Sequence, residues 1–145
     1  MAMLHLPIIV AIILLFTTMA SPVTASDNST TPTAYEMLEK YEFPRGILPE
    51  GVTGYVLRPD GSFEVYLSRE CNLHAAKMQV HYSSRIAGNV QNRSIHGLEG
   101  VKVKMLFAWI GIDQVDRNDD QIYFHAGILS KLFPVDKFAS SPQCN

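Results

Sequence analysis

From His96 to Ile112 the chain reads HGLEGVKVKMLFAWIGI, and this run limits the fold more than any other. After a Gly-bounded turn, Val101, Val103, Met105, Phe107 and Trp109 alternate with Lys102, Lys104, Leu106, Ala108 and Ile110. Side chains of an extended strand point to opposite faces with period two. The first half therefore predicts a strand with one face wet and one buried. The second half is apolar on both sides, as in a central strand covered from both faces. It also holds the single Trp.

The same alternation recurs along the chain. Val52 to Arg58 and Ser62 to Leu67 flank Pro59-Asp60-Gly61, where Pro fixes φ and Gly supplies a positive one, so the segment predicts a β-hairpin. Lys77–Tyr82, Arg85–Val90 and Gln121–Ala126 read as further strands, and Gly127–Phe133 as a strand or one helical turn. Arg69–Leu73 and Gly111–Asp120 read as polar breaks. One helix is expected. Thr33 and Glu36 form a capping box, Ala34, Leu38 and Tyr41 share a face, and Pro44 ends the element near Phe43. The sum is a mainly β fold: a single small antiparallel barrel or sandwich of six to eight strands with one short N-terminal helix covering it.

The first 25 residues contain no Lys, Arg, Asp or Glu, and Ile8 to Phe16 is an unbroken apolar run followed by small residues up to Ala25. A short apolar core ending in small residues predicts a cleaved signal peptide over 1–25, the alternative being a retained anchor, since a spanning helix needs about 20 apolar residues. Residues 26–32 then form a flexible N-terminus and 33–145 the single β-rich domain. The expected location is the secretory pathway and the extracellular space or apoplast, with no transmembrane span in the mature chain. Asn28 and Asn92 open glycosylation sequons. With two cysteines in an oxidising compartment, Cys71 and Cys144 read as a disulfide worth ~4 kcal/mol, the alternative being two unpaired thiols. A net charge of −2, from 12 basic and 14 acidic residues, argues against nucleic acid as a partner.

No residue pattern announces a reaction. There is no G-x-S-x-G elbow, and Ser130 stands five positions from His125 with no pattern joining the two to an acid. His74, His81, His96 and His125 are scattered singly, without metal-ligand spacing. Asp113, Asp116, Asn118, Asp119 and Asp120 lack the spacing and distal Glu of a calcium loop and read as turn residues. No metal or other cofactor is expected. Glu64, Glu70, Glu99 and Asp60 are the carboxylates a glycosidase would draw on. The remaining idea is an apolar pocket, with Met78, Tyr82, Met105, Phe107, Trp109 and Phe124 as its wall or simply as core.

Taken together, Pro44-Arg45-Gly46-Ile47-Leu48-Pro49, Gly61-Ser62-Phe63 with Val65, Leu67 and Cys71, and Ile86-Ala87-Gly88 resemble a known pattern. So do Leu98-Glu99-Gly100-Val101-Lys102-Val103, Trp109, Gly127-Ile128-Leu129-Ser130, Phe133-Pro134, Phe138 and Pro142-Gln143-Cys144. The chain from the helix onward resembles the plant secretory family called domain of unknown function 538, which includes proteins named for smaller trichomes with variable branches. Arg93-Ser94, with its sequon, stands where that family often has a Gly before the Ile95 position. The resemblance implies a β-rich, barrel-like secreted domain akin to the lipid-binding fold of bactericidal/permeability-increasing proteins, with hydrolase activity as the rival reading. It supplies no catalytic motif, so no active-site residue is carried over. The expected function is non-enzymatic binding of a lipid-like or amphipathic small molecule by a monomer. The alternatives are a cell-wall or ester hydrolase and a surface-interaction protein in growth or stress responses.

Overall fold

The computed structural model describes residues 32–145. The leader and the Asn28 sequon lie outside the described residues, as does all but the last residue of the 26–32 segment. Helix α1 spans Ala34–Lys40 and starts as its sequence requires: the Thr33 hydroxyl accepts from the Glu36 amide, and the Glu36 side chain reaches back to the Thr33 amide. Ala34, Met37 and Leu38 form its buried face. No helix among the described residues is long and apolar enough to cross a membrane.

Nine strands follow: β1 (Val52–Leu57), β2 (Ser62–Leu67), β3 (Cys71–Ala75), β4 (Met78–Gln91), β5 (Ser94–Met105), β6 (Ala108–Gly111), β7 (Gln114–Asn118), β8 (Gln121–Ala126) and β9 (Leu129–Pro134). All pairings are antiparallel, in one sheet of order β1-β2-β4-β5-β7-β8-β9. The 14-residue β4 and 12-residue β5 are its centre. β3 and then β2 pair along the outer side of β4, and β6 and then β7 along the outer side of β5. Register shifts between Tyr82 and Asn89 bend the long pair, and at this bend Gly100 passes so close to the Arg85 carbonyl that no side chain would fit.

Several boundaries differ from the sequence reading. The two strands expected over 77–90 are one bent strand, and two breaks read as polar are strands β3 and β7. The most consequential difference is in His96–Ile112, which is no single strand but a hairpin. It turns at Leu106-Phe107, with Leu106 at φ 57°. Met105 pairs with Ala108 and Lys104 with Trp109. A two-residue turn inverts the parity of everything after it, so Trp109 joins Lys104 on the outer face instead of Met105 on the inner one. Trp109 is 44% exposed and Phe107 98%, so neither is core.

The sheet curls around one apolar interior but does not close, for β1 and β9 do not pair. The seam is filled by the segments on either side of the sheet. The Glu50 amide donates to the Pro142 carbonyl and the Ser141 hydroxyl to the Arg45 carbonyl. Gly46 lies against the backbone at Phe138 and Ser140, where a Cβ would collide with both carbonyl oxygens. Phe138 in turn packs on Phe124 and Phe133 at ring-centroid distances of 5.4 and 6.0 Å. Cys71 and Cys144 form the expected disulfide, fixing the tail to the start of β3.

Because the strands run up and down, the turns fall at two ends. At one end are the β1–β2, β4–β5 and β7–β8 turns. Gly61 accepts from the Val90 amide, Arg93 donates its amide to Tyr41, and Arg117 donates to the carbonyls of Arg93 and Glu42, which gathers this end around α1. Its turn residues are Pro59-Asp60-Gly61, Asn92-Arg93 and Asp119-Asp120, all polar or turn-forming. At the other end the β3–β4, β5–β6 and β8–β9 turns read Ala76-Lys77, Leu106-Phe107 and Gly127-Ile128.

Candidate functional site: the apolar interior and its mouth

The inner face of the curled sheet lines a partly open cavity of about 80 Å³. Met37 and Leu38 of α1 close it at one end; Val65, Tyr82, Ile86, Val103 and Phe124 are among its walls. Met78 and Met105 stand toward the other end, where an open depression is lined by both of them with Lys77, Gln79, Lys104, Leu106 and Lys131. Met78, Met105 and Lys131 border both spaces, so the cavity ends beneath this depression.

Of the six residues proposed from sequence as pocket wall, the structure brings Met78, Tyr82, Met105 and Phe124 together around the cavity. Phe107 and Trp109 stand outside it, for the reason of parity given above. Trp109 instead meets the edge of the His81 ring at 6.2 Å on the outer face. The sequence reading missed Met37 and Leu38 as cavity residues. Their spacing on the buried face of a capped helix was the available signal.

Among the described residues no polar or charged side chain is buried, and no buried side-chain polar atom lacks a partner. The one titratable group deep in the wall is Tyr82, whose hydroxyl donates to the Ile47 carbonyl at 2.7 Å. Burial pushes this phenol well above its ordinary value. With its proton engaged and its anion disfavoured, Tyr82 holds the wall together and moves no proton. The interior is thus almost wholly apolar, with Ser130 and Lys131 of β9 the polar residues on its border besides Tyr82.

The outer face carries the polar chemistry. The register pairs Gln114 with His125 and His125 with Ser130, which sets three outward side chains side by side. Ser130 Oγ lies 2.9 Å from His125 Nδ1, and His125 Nε2 lies 3.0 Å from Asp116 Oδ2. The acid that no sequence pattern supplied is therefore Asp116. Ser94 Oγ donates to the other Asp116 oxygen at 2.7 Å and also meets His96 Nε2, while Gln114 donates to Oδ2. Burial pushes the Asp116 carboxyl up, but these donors outweigh it and hold the group below its ordinary value. Ser130 is exposed, and the row faces solvent on the outer side of the sheet.

The other candidates are placed simply. His81 Nδ1 meets Asn72 Oδ1 at 2.8 Å, and His74 pairs across the hairpin with Gln79. No three His, Cys, Asp or Glu side chains among the described residues stand close enough to hold a metal ion. Glu64 accepts from Arg58, Tyr66 and Arg85, which hold its carboxyl down at about 2. Asn92 is exposed in the β4–β5 turn.

The family model described as "Protein of unknown function, DUF538" matches residues 34–139. The chain belongs to the DUF538 family. The matched span runs from the first residue of α1 through all nine strands to the turn at Phe138, so the DUF538 domain includes the cavity, its mouth and most of the seam. No curated protein and no solved structure matches the chain.

Proposed function

We propose that this DUF538 protein is a non-enzymatic binder of a slender apolar or amphipathic molecule, acting as a monomer in the secretory pathway or outside the cell. The observation that carries the reading is a partly open interior lined almost wholly by carbon, ending beneath a depression bordered by three lysines. Pockets for drug-sized ligands occupy ~300–1,000 Å³. At about 80 Å³, this cavity suits a single narrow chain, such as an acyl or prenyl tail, rather than a broad ring system. Met37, Met78 and Met105 are unbranched and adaptable, so the space can widen around such a chain. A polar head at the mouth would stay in water beside Lys131. The secretory reading rests on the charge-free leader and the Cys71–Cys144 disulfide, a bond that persists in oxidising compartments. The same reading makes the exposed Asn92 sequon a glycan site.

Native mass spectrometry of protein secreted from eukaryotic cells, before and after solvent extraction, tests this. A mass excess that extraction removes and palmitate restores is the expected result. Filling the mouth with Met105→Trp should then weaken palmitate uptake. A bare mass that no fatty acid, prenol or sterol changes would sink the reading.

One observation favours a second reading, an ester hydrolase. With Asp116 accepting a hydrogen bond from His125 Nε2–H, Nδ1 is left to take the proton of the Ser130 hydroxyl, the division of labour a nucleophilic serine requires. The reading ranks second because His125 and Asp116 stand on the outer face of the sheet and line no part of the cavity, which Ser130 alone of the three borders. Labelling of Ser130 by a fluorophosphonate, abolished in His125→Ala, would favour it. An unlabelled protein would end it.

A further inference from the structure

The two ends of the curled sheet differ in a way the fold does not require. At the end away from α1, Leu106, Phe107 and Ile128 are 91%, 98% and 101% exposed. Hairpin tips in water normally carry Gly, Asn or Asp, because these adopt positive φ and face solvent at little cost. Here Leu106 is held at φ 57°, and Ala76 and Lys77 at 51° and 65°, positions that L side chains adopt only with strain. The opposite end also holds non-glycine residues at positive φ, Arg93 and Asp119, but they are polar, so what sets this end apart is its exposed apolar surface.

Charge is placed to match. Lys77, Lys104 and Lys131 line the depression over the mouth, and none of them makes an ion pair among the described residues. The acidic turn residues Asp60, Asp119 and Asp120 lie at the far end. The molecule as a whole is slightly acidic, so three unpaired lysines around apolar tips form a local contrast and not a general excess.

We infer that this end is a membrane-docking surface: Leu106, Phe107 and Ile128 enter the headgroup–acyl boundary of an anionic phospholipid membrane, and the three lysines bind its charged headgroups. Apolar side chains and lysines combine in this way at interfaces, because burial of carbon and attraction to anionic lipid add. Docking in this pose sets the mouth of the cavity on the lipid surface. The inference goes beyond the proposed binding of a small molecule and does not require the cavity to be filled.

Flotation of the purified protein with phosphatidylcholine vesicles, with and without roughly a third phosphatidylserine, tests it. Binding to the mixed vesicles should exceed binding to phosphatidylcholine alone and fall as salt is raised. Leu106→Ser, Phe107→Ser and Ile128→Ser together should lower it by about tenfold or more. Each lysine changed to Gln should lower it by about fivefold. Phe107 and Ile128 line neither the cavity nor the depression, so the double variant Phe107→Ser, Ile128→Ser should lower vesicle binding while thermal unfolding and palmitate uptake in solution stay unchanged. Vesicle binding that is absent, indifferent to phosphatidylserine, or retained by the triple variant overturns the inference. So does sedimentation showing that the tips instead pair two copies of this chain. Palmitate uptake without vesicle binding would leave the cavity reading standing and defeat only this one.

Discussion

The Tyr82 hydroxyl donates to the Ile47 carbonyl at 2.7 Å, tying the middle of β4 to the segment that precedes β1. The bond satisfies a backbone oxygen that the fold takes out of water, and both partners belong to the cavity wall. Tyr82→Phe keeps the ring and removes the donor, so it should cost about 1–2 kcal/mol in urea denaturation. It should leave the apolar interior able to take up palmitate.

Gly46 is a position where one methyl group should matter. Its missing Cβ would stand on the Phe138 and Ser140 carbonyl oxygens, which are backbone and cannot rotate aside. Gly46→Ala should destabilise by about 1–3 kcal/mol, read as a lower thermal midpoint, by forcing the C-terminal segment off the seam.

The disulfide closes a loop of 73 residues in sequence separation. In the chain-entropy account, its loss should cost about 2–5 kcal/mol. Cys144→Ser should show that loss in denaturant and should also free the tail, detectable as faster amide exchange at Asn145 and Glu50, whose amides donate to Asn72 and Pro142.

Glu64 gives the fold an acid-sensitive group. Its donors, Arg58 first, hold the carboxyl at about 2 against an ordinary 4.5. A carboxyl depressed in the folded state contributes stability that is full above its unfolded value and is lost as pH falls through the folded one. Stability should therefore decline between pH 4.5 and pH 2 in the native protein. The decline should be shallower in Glu64→Gln, as urea midpoints measured across that interval would show.

The β3–β4 turn should be easy to improve. Both Ala76 and Lys77 have positive φ, the pattern of a two-residue turn that prefers Asn-Gly. The double change to that pair should stabilise by about 1 kcal/mol or more, measured in urea.

What was legible in the sequence follows from how openly each element is marked. The β1–β2 hairpin and the α1 cap are written in local chemistry, a Pro-Asp-Gly turn and a Thr-x-x-Glu box, and both form as read. The β5–β6 turn is written in apolar residues. Leu106-Phe107 continues the alternation by type while the backbone reverses beneath it, and so the faces of Phe107 and Trp109 were inverted. β7 is hidden in the sequence because Gln114, Asp116 and Asn118 on its outer face and Arg117 on its inner one are all polar; the fully buried Val115 is its one apolar inward mark. The Ser130–His125–Asp116 row depends on register across three strands, which no local pattern encodes. The disulfide could be read by counting, since two cysteines leave one pairing.

The seam has a consequence for the order in which the fold can be completed. Each strand pairs with the next in the chain or the next but one, so most of the sheet can form as it emerges during synthesis. The pieces that finish the enclosure are the 45–50 segment and the stretch from Phe138 to Cys144, made nearly a hundred residues later. Until that last stretch arrives, Gly46 and the β3 end of the disulfide have no partner, and the apolar interior stands open along one side. The nascent domain is therefore a trough before it is a container, and its dry interior is a product of its final residues.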